Sequence, residues 1–256
     1  MKARTIDWKT LRVAVTGGTS GLGLALVQAL HARGAQVVFV ARDAARVAHV
    51  AGTLPGSHGI AGDIADKDAT HRIALQVNAA LSGLDVLINN ASSLGPVPLA
   101  PLADTDCEDL EAALATNLVG PFRLTKALVG ALGAAAREQA PYRHSVVVNI
   151  SSDAAVTAYA GWGAYGASKA ALAHLGGIWD EELREHGVRV IAVDPGDMDT
   201  PLHALAVPDA DPATLKRPQD AALEVLAAIE AALCPDATPE HPAGVKAGVL
   251  TRAIAA

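Results

Sequence analysis

The sequence has few aromatic residues and few cysteines. Aromatic residues make up 3% of the chain although apolar residues together make up 51%, so the interior must consist of Ala, Val and Leu from helices packed on β-branched strands. The two cysteines, Cys107 and Cys234, are far apart and lack CxxC spacing, which argues against a disulfide framework and a zinc site. The nine histidines show neither HxH nor HExxH spacing, so we predict no metal site.

The sequence also lacks a long apolar run and an excess of basic charge. No run approaches the ~18 apolar residues that span a bilayer, and the polar residues 1–10 lack the apolar core of a secretory signal. A net charge of −7 argues against a basic face for nucleic acid. These absences predict a cytoplasmic protein that acts on a small molecule, without a membrane or nucleic-acid partner.

Short β-branched segments alternate with longer Ala- and Leu-rich segments of helical period, which is the βαβ rhythm of a parallel sheet. Strands are predicted at 12–16, 36–40, 58–62, 85–89, 145–150 and 188–194, with a weakly supported seventh at 245–251, and helices at 22–33, 44–51, 66–81, 106–136, 164–186 and 219–233. We predict a single domain over residues 1–256. Its fold class is α/β, a doubly wound Rossmann-type fold of six or seven parallel strands with helices on both faces and a substrate loop at about 197–218.

Tyr165 and Lys169 stand four residues apart in a predicted helix, so their side chains project from one face. A free tyrosine titrates near 10, too high for efficient proton exchange at neutral pH, and a cation within a few ångströms lowers the phenol pKa. We therefore interpret the pair as a general acid/base. Because chance alone can supply this spacing, the interpretation depends on the surrounding motifs.

Glycines cluster directly after the first predicted strand, in the stretch TGGTSGLG at 16–23. Glycines here let the backbone turn tightly and let a diphosphate approach the N–H groups and positive dipole of the helix start. The spacing GxxxGxG matches neither the GxGxxG dinucleotide fingerprint nor the P-loop. A Gly-rich turn without a ligand is the alternative interpretation.

The second predicted strand is followed by Ala41, Arg42 and Asp43. In a doubly wound fold an acidic residue here accepts a hydrogen bond from the ribose 2′-OH of NAD, whereas an arginine pairs with the 2′-phosphate of NADP. Because Ala41 occupies the strand end and Arg42 follows it, we predict that NADP(H) is preferred and that NAD(H) can also be used. Asp43 is the counterargument, and a solvated helix-end charge is the alternative interpretation of Arg42.

Polar residues also follow the later strands, at the edge where open α/β sheets bind ligands. Ser152 follows the fifth strand, thirteen residues before Tyr165, and no GxSxG elbow accompanies it. It is therefore expected to be a hydrogen-bond donor to a carbonyl, not a nucleophile, with a turn or cap role as the alternative. Pro195 and Gly196 follow the sixth strand and can expose backbone groups to a ligand amide.

Together these motifs resemble the short-chain dehydrogenase/reductase (SDR) family over most of the chain. Residues 16–23 match its TGxxxGxG loop, Tyr165 to Lys169 its YxxxK pair, Ser152 its serine, residues 195–200 its PGxxxT segment, and Asn117 its helix asparagine. The resemblance implies an NAD(P)-binding Rossmann-fold catalytic domain. The implied reaction is hydride transfer between a nicotinamide and a small carbonyl or secondary alcohol substrate.

The resemblance also implies a role for each of four catalytic residues. Tyr165 would exchange the proton with the substrate oxygen. Lys169 would lower the phenol pKa together with the oxidised nicotinamide and would hydrogen-bond the nicotinamide ribose. Ser152 would polarise the substrate oxygen. Asn117 would free a helix carbonyl that holds a water for proton resupply.

The implied cofactor contacts occupy the same strand ends. Asp63 and Ile64 match an adenine-contacting pair, and Met198 and Thr200 would contact the carboxamide. The full predicted cofactor-binding set is Gly17, Thr19, Ser20, Gly21, Leu22, Gly23, Arg42, Asp63, Ile64, Asn90, Ala91, Tyr165, Lys169, Pro195, Gly196, Met198 and Thr200.

The chain departs from the family at two points. The usual NNAG reads Asn-Asn-Ala-Ser at 89–92, with Ser92 where a glycine normally stands, and the common final-strand ending is missing from 244–256. We expect a homodimer or a homotetramer, the dimer being better supported by the Ala/Leu face of the helix at 164–186. Ordinary core packing is the alternative interpretation of that face.

The substrate is expected to be neutral or weakly polar. The predicted lining at 94–99 and 202–212 is mostly apolar. Tyr159 and Trp162 either contact the substrate or only pack. Two alternative functions are an NAD-dependent alcohol dehydrogenase of the same family and a non-catalytic nucleotide-binding sensor or scaffold.

Overall fold

A single parallel sheet lies at the centre of the fold. The computed structural model describes residues 6–140 and 143–234 and the backbone of Thr251 and Arg252. The strands are β1 (Arg12–Thr16), β2 (Gln36–Ala41), β3 (His58–Ala61), β4 (Val86–Asn89), β5 (Ser145–Ile150), β6 (Val188–Asp194) and β7 (Thr251–Arg252). They pair in the order β3-β2-β1-β4-β5-β6-β7, all parallel. The predicted doubly wound fold is confirmed.

Helices cover both faces of the sheet. They are α1 (Gly21–Ala32), α2 (Ala44–Thr53), α3 (Lys67–Leu81), α4 (Cys107–Leu114), α5 (Gly120–Gln139), α6 (Gly163–Leu183), α7 (Pro201–Ala206) and α8 (Pro218–Leu233). One core forms where α1 and α8 pack on the sheet, and the other lies under α3, α5 and α6. Alternate residues of each strand enter opposite cores: Val13 and Val15 face α1, and Ala14 faces α3.

Two predicted helices are interrupted in ways that the periodicity does not show. The predicted helix at 106–136 is α4 and α5 joined by a π-helical turn, Ala115–Val119. The predicted helix at 164–186 ends as α6 at Leu183, followed by a 3₁₀ turn and by Gly187 at φ 74°. Of the predicted seventh strand, only Thr251 lies among the described residues, and β7 pairs with β6 there.

One helical stretch passes the length and composition test for a membrane span. Cys107–Gln139 has a mean hydropathy of 1.2 over its most apolar window, of which 44% is buried inside the fold. It packs against α3 and β5. A core helix of a soluble domain passes the same test, so this stretch is weak support for a membrane span.

The strand order reverses between β1 and β4. The chain leaves β1 towards β2 on one side, and β4 pairs on the other side of β1. In open parallel sheets, ligands bind outside the carboxyl ends of the strands at such a switch point. The fold therefore predicts that the site lies between the turn after β1 and the turn after β4.

Candidate active site

A cavity of about 880 Å³ opens at the carboxyl edge of the sheet. Every residue of the predicted cofactor set lines it, and so do the predicted catalytic residues Ser152, Tyr165 and Lys169. Asn117 does not line the cavity and is fully buried. The structure thus brings the predicted residues to one place, while their binding and catalytic roles stay predictions.

The glycine turn after β1 is fixed to the end of β4. The Thr16 hydroxyl accepts hydrogen bonds from the backbone N–H groups of Asn90 and Ala91, each at 3.0 Å. The Asn90 amide donates back to the Thr16 carbonyl at 2.9 Å. Asn90, predicted as a cofactor contact, therefore also holds the turn that leads into α1.

Two glycines allow this close approach of backbone to backbone. Gly17 has φ +71°, and a Cβ there would lie 2.9 Å from the Ala91 Cα. A Cβ on Gly23 would collide with the Gly17 carbonyl. The first turn of α1 therefore lies open to the cavity, and Ser20 makes no side-chain cap bond to it. Its N–H groups and the helix dipole suit the diphosphate of a dinucleotide.

Two arginines and one aspartate line the cavity at the end of β2. The Asp43 carboxylate caps α2 by accepting from the N–H groups of Ala45 and Arg46 at 2.9 and 3.0 Å. It also lies 3.6 Å from the Arg46 guanidinium. Arg42 is exposed and makes no ion pair with any residue that the structure describes. Asp43 is thus engaged in capping, and Arg46 is a second cation that the sequence analysis missed.

Tyr165 and Lys169 both lie buried on the first half of α6, with 8% and 1% exposure. The Lys169 Nζ lies 5.5 Å from the centroid of the Tyr165 ring and donates to the Ile150 carbonyl at 2.8 Å. The predicted neighbourhood of phenol and ammonium is therefore present. The ammonium points at a backbone carbonyl of β5, however.

The predicted lowering of the phenol pKa is wrong for this structure. Burial raises the pKa of Tyr165 to about 12, and the carboxylates of Asp194 and Asp153 also raise it. Hydrogen bonds with the Ser152 and Ser92 hydroxyls act in the opposite direction. Burial also disfavours the charged form of Lys169, and it therefore lowers the pKa of this ammonium group to about 8. The four-residue spacing predicted the cation next to the phenol, but it could not predict how deeply the phenol is buried. Burial has the larger effect on the phenol pKa here.

Ser152 is both a cap residue and a neighbour of the phenol. Its hydroxyl accepts from the Ala154 N–H at 3.2 Å and donates to the Asp153 carboxylate at 3.1 Å. The Tyr159 hydroxyl donates to the other oxygen of Asp153 at 2.7 Å. Ser152 can therefore cap the turn that follows β5 and also present its hydroxyl to the cavity.

Asn117 holds the segment after β4 from behind the cavity. It lies in the π-helical turn between α4 and α5, a feature that often marks functional sites. Its amide oxygen accepts from the Ser93 N–H at 2.8 Å, and its nitrogen donates to the Ser93 carbonyl at 2.7 Å and to the Ser168 hydroxyl at 2.8 Å. Asn117 thereby connects the end of β4 to α6.

The turn after β6 is held by a residue that the sequence analysis did not select. Gly196 has φ +77°, and its N–H donates to the Asp194 carboxylate at 2.9 Å. The Lys216 Nζ donates to the Pro195 carbonyl at 3.1 Å and pairs with Glu224 at 2.6 Å. Met198 bridges to Lys216 through the backbone. No local signal identifies Lys216, because the contact joins residues 21 positions apart.

The remaining part of the cavity is lined by aromatic, aliphatic and acidic residues. Trp162 packs edge-on against the Tyr165 ring at 5.7 Å, and Tyr159 also lines the cavity. Leu94 lies in the lining, as do most residues of α7, where His203 lies 3.9 Å from the Asp197 carboxylate. Of the two segments predicted to line the substrate pocket, Leu94 of 94–99 and several residues of 202–212 do so. Asp153 and Asp197 lie in segments that were expected to line the substrate pocket, but the negative charge that their carboxylates bring was not predicted.

Metal ligands do not cluster in the part of the chain that the structure describes. No group of three His, Cys, Asp or Glu residues there could hold a metal ion.

Comparison with known proteins gives matches over most of the chain. The family model described as short chain dehydrogenase matches residues 12–211. Serine 3-dehydrogenase from Agrobacterium fabrum is 33% identical over 190 residues, covering 73% of this chain and 72% of that protein. L-xylulose reductase from Bos taurus is 33% identical over 198 residues, covering 77% and 76%. A solved structure described as a short chain dehydrogenase from Pseudomonas syringae superposes with a TM-score of 0.83 at 29% identity, over 99% of this chain and 98% of that one.

Proposed function

The chain belongs to the short-chain dehydrogenase family, and we propose that it is an NADP(H)-preferring oxidoreductase with Tyr165 as its general acid/base. The predicted family resemblance is confirmed by the match to residues 12–211. As a family member the protein is an NAD(P)-dependent oxidoreductase that acts on CH–OH or C=O groups. The cofactor preference, the roles of single residues and the substrate are our proposals.

One observation carries this proposal. Tyr165, Lys169 and Ser152 line the same cavity as the glycine turn and the open first turn of α1. A dinucleotide with its diphosphate at α1 would extend along the carboxyl edge of the sheet, towards Arg42 at one end and the phenol at the other. The residues present therefore fit the cofactor.

The proton chemistry is assigned to Tyr165. When bound, the nicotinamide supplies or accepts the hydride at the substrate carbon. In reduction the phenol gives its proton to the substrate oxygen, and in oxidation the phenolate removes the proton from the alcohol. Lys169, whose ammonium is fixed on the Ile150 carbonyl, holds a positive charge beside the ring and favours the phenolate.

The neighbouring residues orient the reactants. Ser152 turns its hydroxyl from Asp153 to the substrate oxygen and polarises it. Asn117 keeps the segment after β4 in contact with α6 through Ser93 and Ser168. Trp162, packed against the phenol, limits the access of water to the reacting oxygen.

Cofactor preference follows from the charges at the end of β2. Asp43 is committed to capping α2, whereas Arg42 is free to pair with a 2′-phosphate. This arrangement supports NADP(H) over NAD(H), and an NAD-dependent alcohol dehydrogenase of the same family is the alternative that a clear preference for NAD would favour.

The substrate is expected to be a small ketone, aldehyde or secondary alcohol. Apolar residues such as Leu94 and Leu202 line the cavity, and the carboxylates of Asp153 and Asp197 disfavour anionic substrates. The related proteins named above are described as acting on serine and L-xylulose, which are small polar molecules. We further propose one catalytic domain over residues 1–256, a cytoplasmic location and assembly as a homodimer or homotetramer.

The test separates an enzyme from a nucleotide-binding sensor or scaffold. Purified protein is mixed with NADPH and a panel of small ketones and aldehydes, and the loss of NADPH absorbance is followed. We expect turnover that Tyr165→Phe reduces by about two to four orders of magnitude while NADPH binding is retained. Tight NADPH binding without turnover on any panel member would favour the non-catalytic alternative.

A further inference from the structure

The carboxylate of Asp153 lies beside the proposed catalytic serine and pairs with no cation among the described residues. Asp153 lines the cavity after β5. One of its oxygens accepts from the Ser152 hydroxyl at 3.1 Å, and the other accepts from the Tyr159 hydroxyl at 2.7 Å. Both partners are neutral hydroxyls. They orient the carboxylate, but they do not compensate its negative charge.

Among the described residues, the basic side chains that line the cavity are placed elsewhere. Arg42 and Arg46 lie beyond the end of β2, in the part proposed for the cofactor. The Lys169 ammonium is fixed on a backbone carbonyl at 2.8 Å, and the His203 ring lies by a different carboxylate. No group of three metal-binding side chains in the same described residues could hold a metal ion. The cation that fits beside Asp153 is therefore an organic one that the substrate supplies.

Aromatic residues are scarce in the chain but concentrate at this end of the cavity. Of the three Trp, three Tyr and two Phe residues, Tyr159, Trp162 and Tyr165 line the cavity. Their rings meet edge-on, with centroids 6.4 Å apart from Tyr159 to Trp162 and 5.7 Å apart from Trp162 to Tyr165. Aromatic rings attract an ammonium ion through the negative charge of their faces. A carboxylate among aromatic rings therefore suits an ammonium group and disfavours an anion.

The proposed reaction frees one oxygen of Asp153. The Ser152 hydroxyl turns from this carboxylate to the substrate oxygen, and the carboxylate then keeps the hydrogen bond from Tyr159. A cation on the freed oxygen replaces the lost donor with a charge-assisted hydrogen bond. Because the Ser152 oxygen is within hydrogen-bond reach of both groups, the cation and the reacting oxygen must lie close together in the substrate.

We propose that the substrate carries a protonated amine on the carbon next to the reacting carbon, and that Asp153 binds this ammonium and selects for it. This inference rests on the proposed function and narrows its substrate class to small amino alcohols and amino ketones. In oxidation the hydroxyl proton goes to the Tyr165 phenolate, the carbon gives its hydride to the oxidised nicotinamide, and a C=O bond forms. The ammonium keeps its protons throughout. Tyr159 is a positioning residue that orients the carboxylate.

A bound ammonium also acts on the proton transfer. Burial raises the pKa of Tyr165 to about 12, and the negative charge of Asp153 is one of the further causes. An ammonium on Asp153 neutralises that charge, which favours the phenolate. A substrate with the amine therefore eases its own deprotonation, whereas an uncharged alcohol leaves the charge of Asp153 in place.

The experiment compares three secondary alcohols of similar size in oxidation with NADP⁺ at neutral pH. 1-Amino-2-propanol carries the ammonium, 2-butanol has a methyl group in its place, and lactate has a carboxylate at the same carbon. We expect kcat/KM for 1-amino-2-propanol to exceed that for 2-butanol by about tenfold or more. Lactate should be the slowest of the three, because its charge has the sign of Asp153.

Asp153→Asn keeps the shape of the side chain and removes its charge. The ratio of kcat/KM between 1-amino-2-propanol and 2-butanol should fall about tenfold, mainly through a higher KM for the amine. Tyr159→Phe keeps the ring and removes the hydroxyl that holds Asp153, so the ratio should fall several-fold. Asp104→Asn is the matched control, because Asp104 is an exposed carboxylate outside the cavity lining. Its ratio should equal that of the unsubstituted protein.

A purely structural role of Asp153 would lower kcat for both alcohols alike and leave the ratio unchanged, which would overturn this inference. Faster turnover of 2-butanol than of 1-amino-2-propanol by the unsubstituted protein would overturn it while the proposed function stands. Turnover of panel ketones without oxidation of the amine would have the same meaning. If Asp153→Asn does not fold, Tyr159→Phe is read in the same way. No turnover of any alcohol or panel ketone would overturn the proposed function, and this inference with it.

Discussion

Replacing Arg42 by Ala should lower the affinity for NADP without changing the affinity for NAD. The two cofactors differ by the 2′-phosphate, so a residue that contacts only this group affects one and not the other. Arg42 lines the cavity beside Ala41, is exposed, and has no ion-pair partner among the described residues. The Arg42 guanidinium therefore breaks no ion pair with a described residue when it binds a phosphate.

The size of the effect follows from exposure. A hydrogen bond to a charged group contributes about 1.5–3 kcal/mol, and solvent screening at an exposed position brings it to the lower end of that range. About 1.5 kcal/mol corresponds to a roughly tenfold weaker Kd for NADP. Arg46 should contribute less, because Asp43 already lies 3.6 Å from it and offsets its charge.

Isothermal titration of both cofactors at low and high salt measures this preference. Arg42→Ala should bring the NADP and NAD affinities closer and reduce the salt dependence of NADP binding. Asp43→Ala should lower the stability by about 1 kcal/mol through the lost cap and bind NADP at least as tightly. Arg72→Ala, an exposed arginine of α3 outside the cavity lining, is the control.

Two results would refute this reasoning. If Arg42→Ala weakened NADP and NAD equally, Arg42 would act on the shared part of the cofactor and not on the 2′-phosphate. If the unsubstituted protein bound NAD more tightly than NADP, Asp43 would contact the ribose 2′-OH and would not serve only as the cap of α2.

Two further predictions concern residues that fix the protein around the site. Lys216→Ala removes the ammonium that holds the Pro195 carbonyl, so steady-state kinetics should show a several-fold higher KM for the cofactor with a smaller change in kcat. Glu224→Gln, which keeps an acceptor for Lys216, should have a smaller effect, and equal KM values in all three proteins would contradict the prediction. Asp85→Ala removes a 1%-exposed carboxylate that pairs with Arg12 at 2.8 Å and Arg143 at 2.7 Å, and thermal unfolding should show a loss of about 3–5 kcal/mol. Asp85→Asn should lose less, and a loss below about 1 kcal/mol for Asp85→Ala would contradict the buried-pair reasoning.

The sheet was predictable because its signals are local. Runs such as residues 145–150 are β-branched and buried on both faces, and the glycine turn and the PG turn lie directly beyond strand ends. Each of these patterns is complete within about ten residues. These local patterns were enough to predict which edge of the sheet carries the cavity.

The contacts that hold the site together were not predictable, because they join distant residues. Lys216 reaches Pro195 across 21 positions, and Asn117 reaches Ser168 across 51. The π-helical turn that places Asn117 leaves the apolar pattern of the surrounding helix intact. Periodicity therefore predicts the helix and not the interruption within it.

The pKa of Tyr165 shows how burial can reverse a conclusion drawn from spacing. The spacing correctly placed Lys169 beside the ring, but burial of the phenol raises its pKa to about 12. Proton transfer near neutral pH consequently requires donors that favour the phenolate when the reactants are bound.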